Sequence, residues 1–122
     1  TYVALLFAGV AGFSSFGKYI GNGSADGPAI SCGFRPLLGG VKCINGGVSS
    51  HWVTVDSKRT TYNPDATVVA MNNANAEIGS IIFDLLATGF KPRSTGGDEN
   101  SSGNSFIYWM FSETPFKYAR AR

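Results

Sequence analysis

The sequence predicts an all-β fold, an antiparallel β-sandwich of jelly-roll-like form with about nine short strands and at most one short helix. Short runs rich in Val, Ile, Phe, Tyr and Trp recur along the chain, and each is closed by Gly, Asn, Pro or Ser. Gly accounts for 16 of the 122 residues, and only 15% of the residues are charged. Such a composition favours tight turns between strands over helices.

The predicted strands follow one another at intervals of about ten residues, with a turn signal between most of them. In chain order they are residues 2–8, 18–21, 29–34, 40–44, 52–56, 67–71, 80–85, 89–93 and 106–111. Residues 72–84 fit a helical face about as well as a strand, so one helical turn is an open alternative there. The Gly/Ser/Asn-rich residues 94–104 predict the most mobile loop, because they offer little apolar surface to bury.

The first eight residues repeat the polarity pattern of residues 105–112. We therefore predict that residues 1–15 are a terminal strand and linker resembling the end of a preceding module, and that residues 16–122 form the sandwich. The opening apolar run lacks the charged start of a secretory signal and is shorter than the roughly 20 residues that cross a bilayer. No membrane insertion is expected.

Several predicted strands are apolar on both faces, most clearly residues 2–7 and 106–111. Such a strand must be covered on both sides, either within a thick core or by another subunit. The alternative is that one face presents aromatic rings to flat sugars. Trp52, Tyr62, Tyr108 and Trp109 are the candidates for sugar stacking.

Charge and sulfur content exclude several classes of function. A formal net charge of +2, with basic residues clustered only as Lys117, Arg120 and Arg122, argues against nucleic-acid binding. Cys32 and Cys43 lie on apolar faces, and whether they are bridged depends on geometry that sequence does not give. Two Cys and one His cannot supply a zinc site, so no metal or cofactor is expected.

Catalytic groups are sparse. His51 is the single imidazole and follows Ser50, but adjacent strand residues point to opposite faces and no nucleophile elbow is present. Asp56 and Asp84 belong to different segments, and nothing in their spacing specifies a glycosidase pair. Asp56 and Arg59 are better suited to locking their shared loop through charge-assisted hydrogen bonds. The protein is not expected to be an enzyme.

Seven short motifs, taken together, resemble a domain of bacteriophage tail-fibre and other virion structural proteins, especially those of marine phages. The motifs are residues 19–24 (YIGNGS), 33–36 (GFRP), 41–42 (VK), 52–57 (WVTVDS), 62–64 (YNP), 88–90 (TGF) and 106–116 (FIYWMFSETPF). The resemblance covers roughly residues 16–118. The chain departs from it at Ser112 and at Gly39 and Gly40, where the glycines predict a softened strand or a bulge.

The resemblance implies a non-enzymatic virion component and supplies no catalytic residues. We expect part of a tail fibre or tailspike, assembled in the host cytoplasm as a homotrimer with other virion proteins, and able to contact bacterial surface glycan. The residues expected to contact a receptor or partner are His51, Trp52, Arg59, Tyr62 and Asn63. A capsid decoration protein, a carbohydrate-binding module and a polysaccharide depolymerase are the alternatives.

Overall fold

The structure, a computed structural model, describes residues 1–46, 51–60, 62–81 and 83–113 as eight β-strands without a helix in those ranges. The strands are β1 (Ser14–Ile20), β2 (Ile30–Ser31), β3 (Pro36–Cys43), β4 (Val53–Asp56), β5 (Val69–Ala70), β6 (Phe83–Leu86), β7 (Gly89–Pro92) and β8 (Ser105–Ser112). They form a five-stranded sheet in the order β1-β8-β3-β4-β5 and a three-stranded sheet in the order β2-β7-β6, with all pairs antiparallel. The predicted all-β sandwich is confirmed.

The core lies between the two sheets. From the larger sheet, Phe106 and Met110 of β8 are fully buried, and from the smaller sheet so are Phe83 and Phe90. Tyr19 of β1 joins the layers, since its ring stacks on Phe106 at 5.1 Å and meets Phe90 edge-on at 5.9 Å. Aromatic pairs at these separations add stabilisation beyond that of buried area alone.

Strand β3 runs through the larger sheet between β8 and β4, and its two glycines pair in regular register with β8. A Cβ on Gly39 would lie 1.9 Å from Met110 Sδ, and one on Gly40 would lie 2.7 Å from Trp109 Cε2. The glycines are therefore required for close packing of the β8 side chains. The predicted irregularity does occur in this strand, but it lies between Pro36 and Leu38.

One local prediction was wrong, and one alternative that the sequence left open is decided. Residues 2–8 form no strand, and their large apolar side chains are exposed. The chain reverses in a turn just before β1, where Val10 and Ser14 pair and Gly12 adopts a φ of 75°. No helical turn is found in the described part of residues 72–84, because residue 78 pairs with Val68 as an isolated bridge and β6 begins at Phe83.

The loop of residues 94–104 is fastened to the sandwich despite its polar composition. Asn100 is fully buried, and its amide donates to Asn22 Oδ1 at 3.0 Å, to the Ser24 carbonyl at 2.7 Å and to the Ser94 carbonyl at 3.0 Å. Residues 94–104 are therefore not exposed along their whole length, since Glu99 and Asn100 are buried. Hydrogen bonds replace apolar burial as the source of order in this loop.

Cys32 and Cys43 are both free thiols. Cys43 ends β3 in the larger sheet, whereas Cys32 follows β2 in the smaller sheet. The two strands are not partners in one hairpin, so the arrangement that would have favoured a bridge is not formed.

Candidate functional site

The outer face of the larger sheet carries a strip of large apolar side chains. Strand residues alternate between faces, so burial of Phe106 and Met110 in the core sends Trp109 and Phe111 outward. The register places Phe16 of β1 opposite Trp109, and Leu38 of β3 opposite Phe111. Phe111 meets Phe16 at 6.0 Å and Trp109 at 5.8 Å between ring centroids. The outer face therefore has a continuous aromatic surface where a soluble sheet would usually be polar.

An open groove of about 840 Å³ runs over this strip. We call it the aromatic groove and define it by the side chains that shape it, which are Phe7, Phe16, Leu38, Trp52, Trp109 and Phe111. Phe7 reaches it from the exposed N-terminal segment, stacking on Phe16 at 5.9 Å and meeting Phe111 edge-on at 6.2 Å. A predominantly apolar groove of this size suits a ligand or a segment of another protein.

Trp52, a predicted contact residue, lies in the wall of the aromatic groove just before β4. Its backbone N–H donates to Asn72 Oδ1 at 2.9 Å, and Lys42 Nζ lies 5.7 Å from its ring centroid. A cation at that distance from an indole face is attracted by the ring quadrupole. Both contacts orient the indole. Of the four aromatics proposed for sugar stacking, Trp52, Tyr108 and Trp109 line the groove, and the Tyr108 ring also packs edge-on to Phe90 at 5.3 Å on the core side.

His51 contributes to a different cavity although it adjoins Trp52 in sequence. Its backbone N–H donates to Asp98 Oδ1 at 2.9 Å, and its Nδ1 lies 3.2 Å from Asn73 Nδ2. The cavity has a volume of about 440 Å³ and is lined by polar groups that include Asp98 and Glu99. The conceivable Ser50–His51 pairing lies outside the described residues.

Glu99 is the unusual group in this second cavity. Its side chain is buried, and Oε1 accepts hydrogen bonds from Ser94 Oγ at 2.6 Å and from the Gly96 N–H at 2.8 Å. Oε2 has no partner. Burial raises the pKa of Glu99, and the two hydrogen bonds only partly oppose that effect. Sequence reasoning missed this carboxyl because Gly-rich surroundings suggested an exposed loop.

The remaining predicted contact residues lie on the loop after β4. Asp56 Oδ1 accepts the N–H groups of Lys58 at 3.0 Å and Arg59 at 2.8 Å, and Oδ2 accepts from Arg59 Nε at 2.9 Å. Burial raises the pKa of Asp56, but these hydrogen bonds outweigh it and leave the pKa below its usual range. Arg59 Nη1 also pairs with Glu77. The predicted loop lock is thus confirmed, and Arg59 is already engaged within the chain.

Asn63 and Tyr62 are both exposed, but the Asn63 side chain is engaged by hydrogen bonds within the chain. The Asn63 side chain pairs with the backbone of Leu85, donating to its carbonyl at 3.0 Å and accepting its N–H at 2.9 Å. It therefore extends the hydrogen-bonding of β6 as a neighbouring strand would. The Tyr62 ring is 83% exposed and is available for contact.

Within the described ranges, no group of three or more His, Cys, Asp or Glu side chains is placed to hold a metal ion. In the same ranges no helix is long and apolar enough to cross a membrane. Asp84, the other carboxylate considered for catalysis, lies 3.5 Å from Arg93 Nε.

The fold and its surface define a class of protein: an all-β sandwich with an aromatic groove on the outer face of one sheet. Residues 1–115 match a protein family described as a domain of unknown function (DUF7483), and the chain belongs to that family. No curated protein and no solved structure matches the chain.

Proposed function

We propose that this protein is a structural component of a bacteriophage virion, part of a tail fibre or tailspike that builds the appendage and contacts the host surface. In this role it assembles with identical subunits, as a homotrimer, and with other virion proteins, and it has no catalytic activity or cofactor. It is assembled in the bacterial cytoplasm and resides in the particle. Bacterial surface glycan is its expected external partner.

The observation that carries the proposal is the aromatic groove together with the exposed segment before β1. Monomeric soluble proteins seldom expose large contiguous apolar patches, whereas subunits of permanent assemblies do so before they assemble. Here Tyr2, Leu5, Leu6 and Phe7 are mostly exposed beside the groove. Such a surface is expected in a subunit that packs against neighbouring subunits.

Residues of the motifs that resemble those of virion structural proteins also have structural roles in this fold. Tyr19 packs in the core and donates to the Glu99 carbonyl at 2.5 Å. A Cβ on Gly21 would lie 2.3 Å from the Ser101 carbonyl oxygen, and one on Gly89 would lie 1.9 Å from that of Ile30. These residues hold strands and loops together. Motifs that build a scaffold are consistent with a structural role.

The proposal is tested by locating the chain in purified particles of the phage that encodes it. Gold-labelled antibodies raised against residues 1–122 are expected to label the tail appendage in electron micrographs. Quantitative mass spectrometry is expected to find a small multiple of three copies per particle. Copies in the hundreds, with label on the shell, would instead establish a capsid decoration protein. Absence from the particle would refute any virion role.

A carbohydrate-binding module is the second candidate, and the pairing of Trp52 and Trp109 in one open groove favours it. Sugar rings stack on aromatic faces held in this way. Titration of host-surface oligosaccharides, followed by tryptophan fluorescence, separates the two functions. Millimolar or tighter binding by a monomer, lost in Trp52→Ala and retained in Tyr62→Ala, would support the module.

A further inference from the structure

The chain leaves two apolar surfaces uncovered, and they lie side by side. One is the aromatic groove. The other, which we call the N-terminal segment, is residues 1–8. Its five large apolar side chains are 65% to 101% exposed, and they are Tyr2, Val3, Leu5, Leu6 and Phe7. Residues 1–17 contain no charged side chain. Water thus contacts both surfaces in a single copy, at a cost of about 25 cal/mol per Å² of apolar area.

Among the described residues, the backbone of the N-terminal segment is hydrogen-bonded only at its end. Residues 1–7 make no hydrogen bond to any described residue, and the first hydrogen bonds are those of Ala8 and Val10 with Ser14. Strand β1 lies at the edge of the larger sheet, with β8 on one side. Beyond the Val10–Ser14 bridge, its other side pairs with no strand of the described ranges. An exposed edge of this kind is a template for an added strand.

We propose that the N-terminal segment of one copy docks on the aromatic groove and the free edge of β1 of a second copy. This inference rests on the identical-subunit part of the proposed function and names its interface. The odd-numbered side chains of the segment face the groove, as Leu5 and Phe7 already do within their own chain. The backbone adds a strand to the larger sheet.

The size of the two surfaces suits a stable interface. A buried large apolar side chain contributes on the order of 100 Å² or more, so the three groove-facing side chains of each of two exchanged segments, which are Val3, Leu5 and Phe7, together bury on the order of 600 Å². The groove surfaces that they cover lose a similar area, which brings the total to about 1,200 Å². Stable protein interfaces bury about 1,200–2,000 Å² in total. The exchange therefore reaches the range in which copies remain associated.

A second copy fits these surfaces better than a lipid bilayer does. Segments that lie in a membrane interface combine an apolar face with Lys and Arg for anionic head groups. The N-terminal segment carries no such residue, and the described residues that line the groove include no Lys or Arg. The chain itself supplies an uncharged apolar segment, and closed assemblies of identical subunits are the commonest kind.

The test is sedimentation velocity of the 122-residue chain and three variants. Val3→Lys alters the N-terminal segment at a side chain that does not line the groove of its own chain, Leu38→Lys alters the groove, and Ile44→Lys is the matched control at an exposed position outside both. The unaltered chain and the control are expected to associate at micromolar concentration. Each of the other two is expected to associate at least about 100-fold more weakly, because a buried apolar side chain is replaced by a charge.

Mixing the segment variant with the groove variant tests whether the N-terminal segment of one copy binds the groove of another. A segment variant with an intact groove and a groove variant with an intact segment retain one working contact between them, so their 1:1 mixture is expected to form a heterocomplex that neither forms alone. Circular dichroism establishes that all variants are folded, which is expected because the altered side chains are exposed.

A monomeric unaltered chain at about 100 μM overturns the inference, since interfaces of this size bind well below that concentration. Undiminished association of the segment variant overturns it as well, and so does flotation of the chain with phosphatidylglycerol vesicles in place of self-association. These results test the interface and not the location of the chain in the particle. The proposed interface can therefore be refuted while the virion role stands, and the virion role can be refuted while the interface stands.

Discussion

Single buried polar residues do much of the structural work in the loops of this protein. Glu99 and Asn100 are adjacent and almost wholly buried, and Asp65 is equally buried at the bridge to β6. Each accepts or donates hydrogen bonds that order a turn. Burial also raises the pKa of the Asp65 and Glu99 carboxyls. These buried side chains order the loops, but ionisation of the two buried carboxyls lowers the stability of the folded protein.

Glu99→Gln is expected to stabilise the protein at neutral pH. Because burial raises the folded-state pKa of Glu99 above its unfolded value, its contribution is fully present below the unfolded pKa and is lost as pH rises through the folded pKa. Gln keeps the acceptor for Ser94 and Gly96 and cannot ionise. Thermal unfolding should show an advantage of about 1 kcal/mol at pH 8, or a few degrees, that disappears near pH 4.

The control for this comparison is Glu113→Gln, since Glu113 is exposed and pairs with Arg35 and Lys58 at the surface. Exposed ion pairs contribute little, so a change of no more than about 0.5 kcal/mol is expected at either pH. Equal or lower stability of Glu99→Gln at pH 8 would show that the buried carboxyl is not destabilising.

Asn100→Ala is expected to lower the free energy of unfolding by about 2–4 kcal/mol, because a fully buried amide that makes several part-buried hydrogen bonds is lost. The amide serves Asn22, Ser24 and Ser94 simultaneously. Chemical denaturation measures the loss. Asn75→Ala is the matched control at an exposed site, and a cost similar to that of Asn100→Ala would contradict the role assigned to the buried amide.

Pairing between strands explains which of the apolar segments predicted as strands form strands in the structure. Residues 106–111 became the long strand β8 because β1 and β3 pair with it on both sides. Residues 2–8 have a similar pattern but pair with no strand of the described ranges. Propensity for a strand is realised only where neighbouring backbone and packed side chains support it.

Gly89→Ala is expected to destabilise the smaller sheet strongly. A Cβ there would lie 1.9 Å from the Ile30 carbonyl oxygen, in the pairing of β2 with β7. Since backbone must move to relieve that contact, we expect a loss of about 2–3 kcal/mol in equilibrium unfolding. At Gly79 the nearest atom to an added Cβ is 3.8 Å away. Gly79→Ala should therefore be nearly neutral, and equal effects of the two changes would refute the packing explanation.

The molecule as a whole is held together by its core. Phe83 and Phe90 of one sheet and Phe106 and Met110 of the other are fully buried, and they pack in one cluster. The outer face of the larger sheet is apolar as well, so the molecule resembles a three-layer arrangement with the third layer missing. A neighbouring copy would supply that layer in the proposed assembly.

Reductant is expected to leave the thermal unfolding midpoint unchanged, because Cys32 and Cys43 are free thiols in different parts of the sandwich. Thiol labelling of the native protein should modify partly exposed Cys32 slowly, since burial raises the pKa of its thiol. Buried Cys43 should react only after unfolding. A lower midpoint in reductant, or a mass two daltons below that of the dithiol, would indicate a bridge.

The sequence alone determined the all-β class, eight of the strands and the Asp56–Arg59 loop lock, because alternating patterns, turn residues and short-range charge pairs act over a few neighbouring residues. It also identified Trp52 and Trp109 as aromatic candidates, and the excess of apolar strand surface. Only the tertiary structure decided that His51 and Trp52 serve different cavities and that Asn100 is buried. It also decided that residues 2–8 pair with no strand in the part of the chain that the structure describes. These outcomes depend on which distant strands become neighbours, since register and packing between segments far apart in the chain have no local signature.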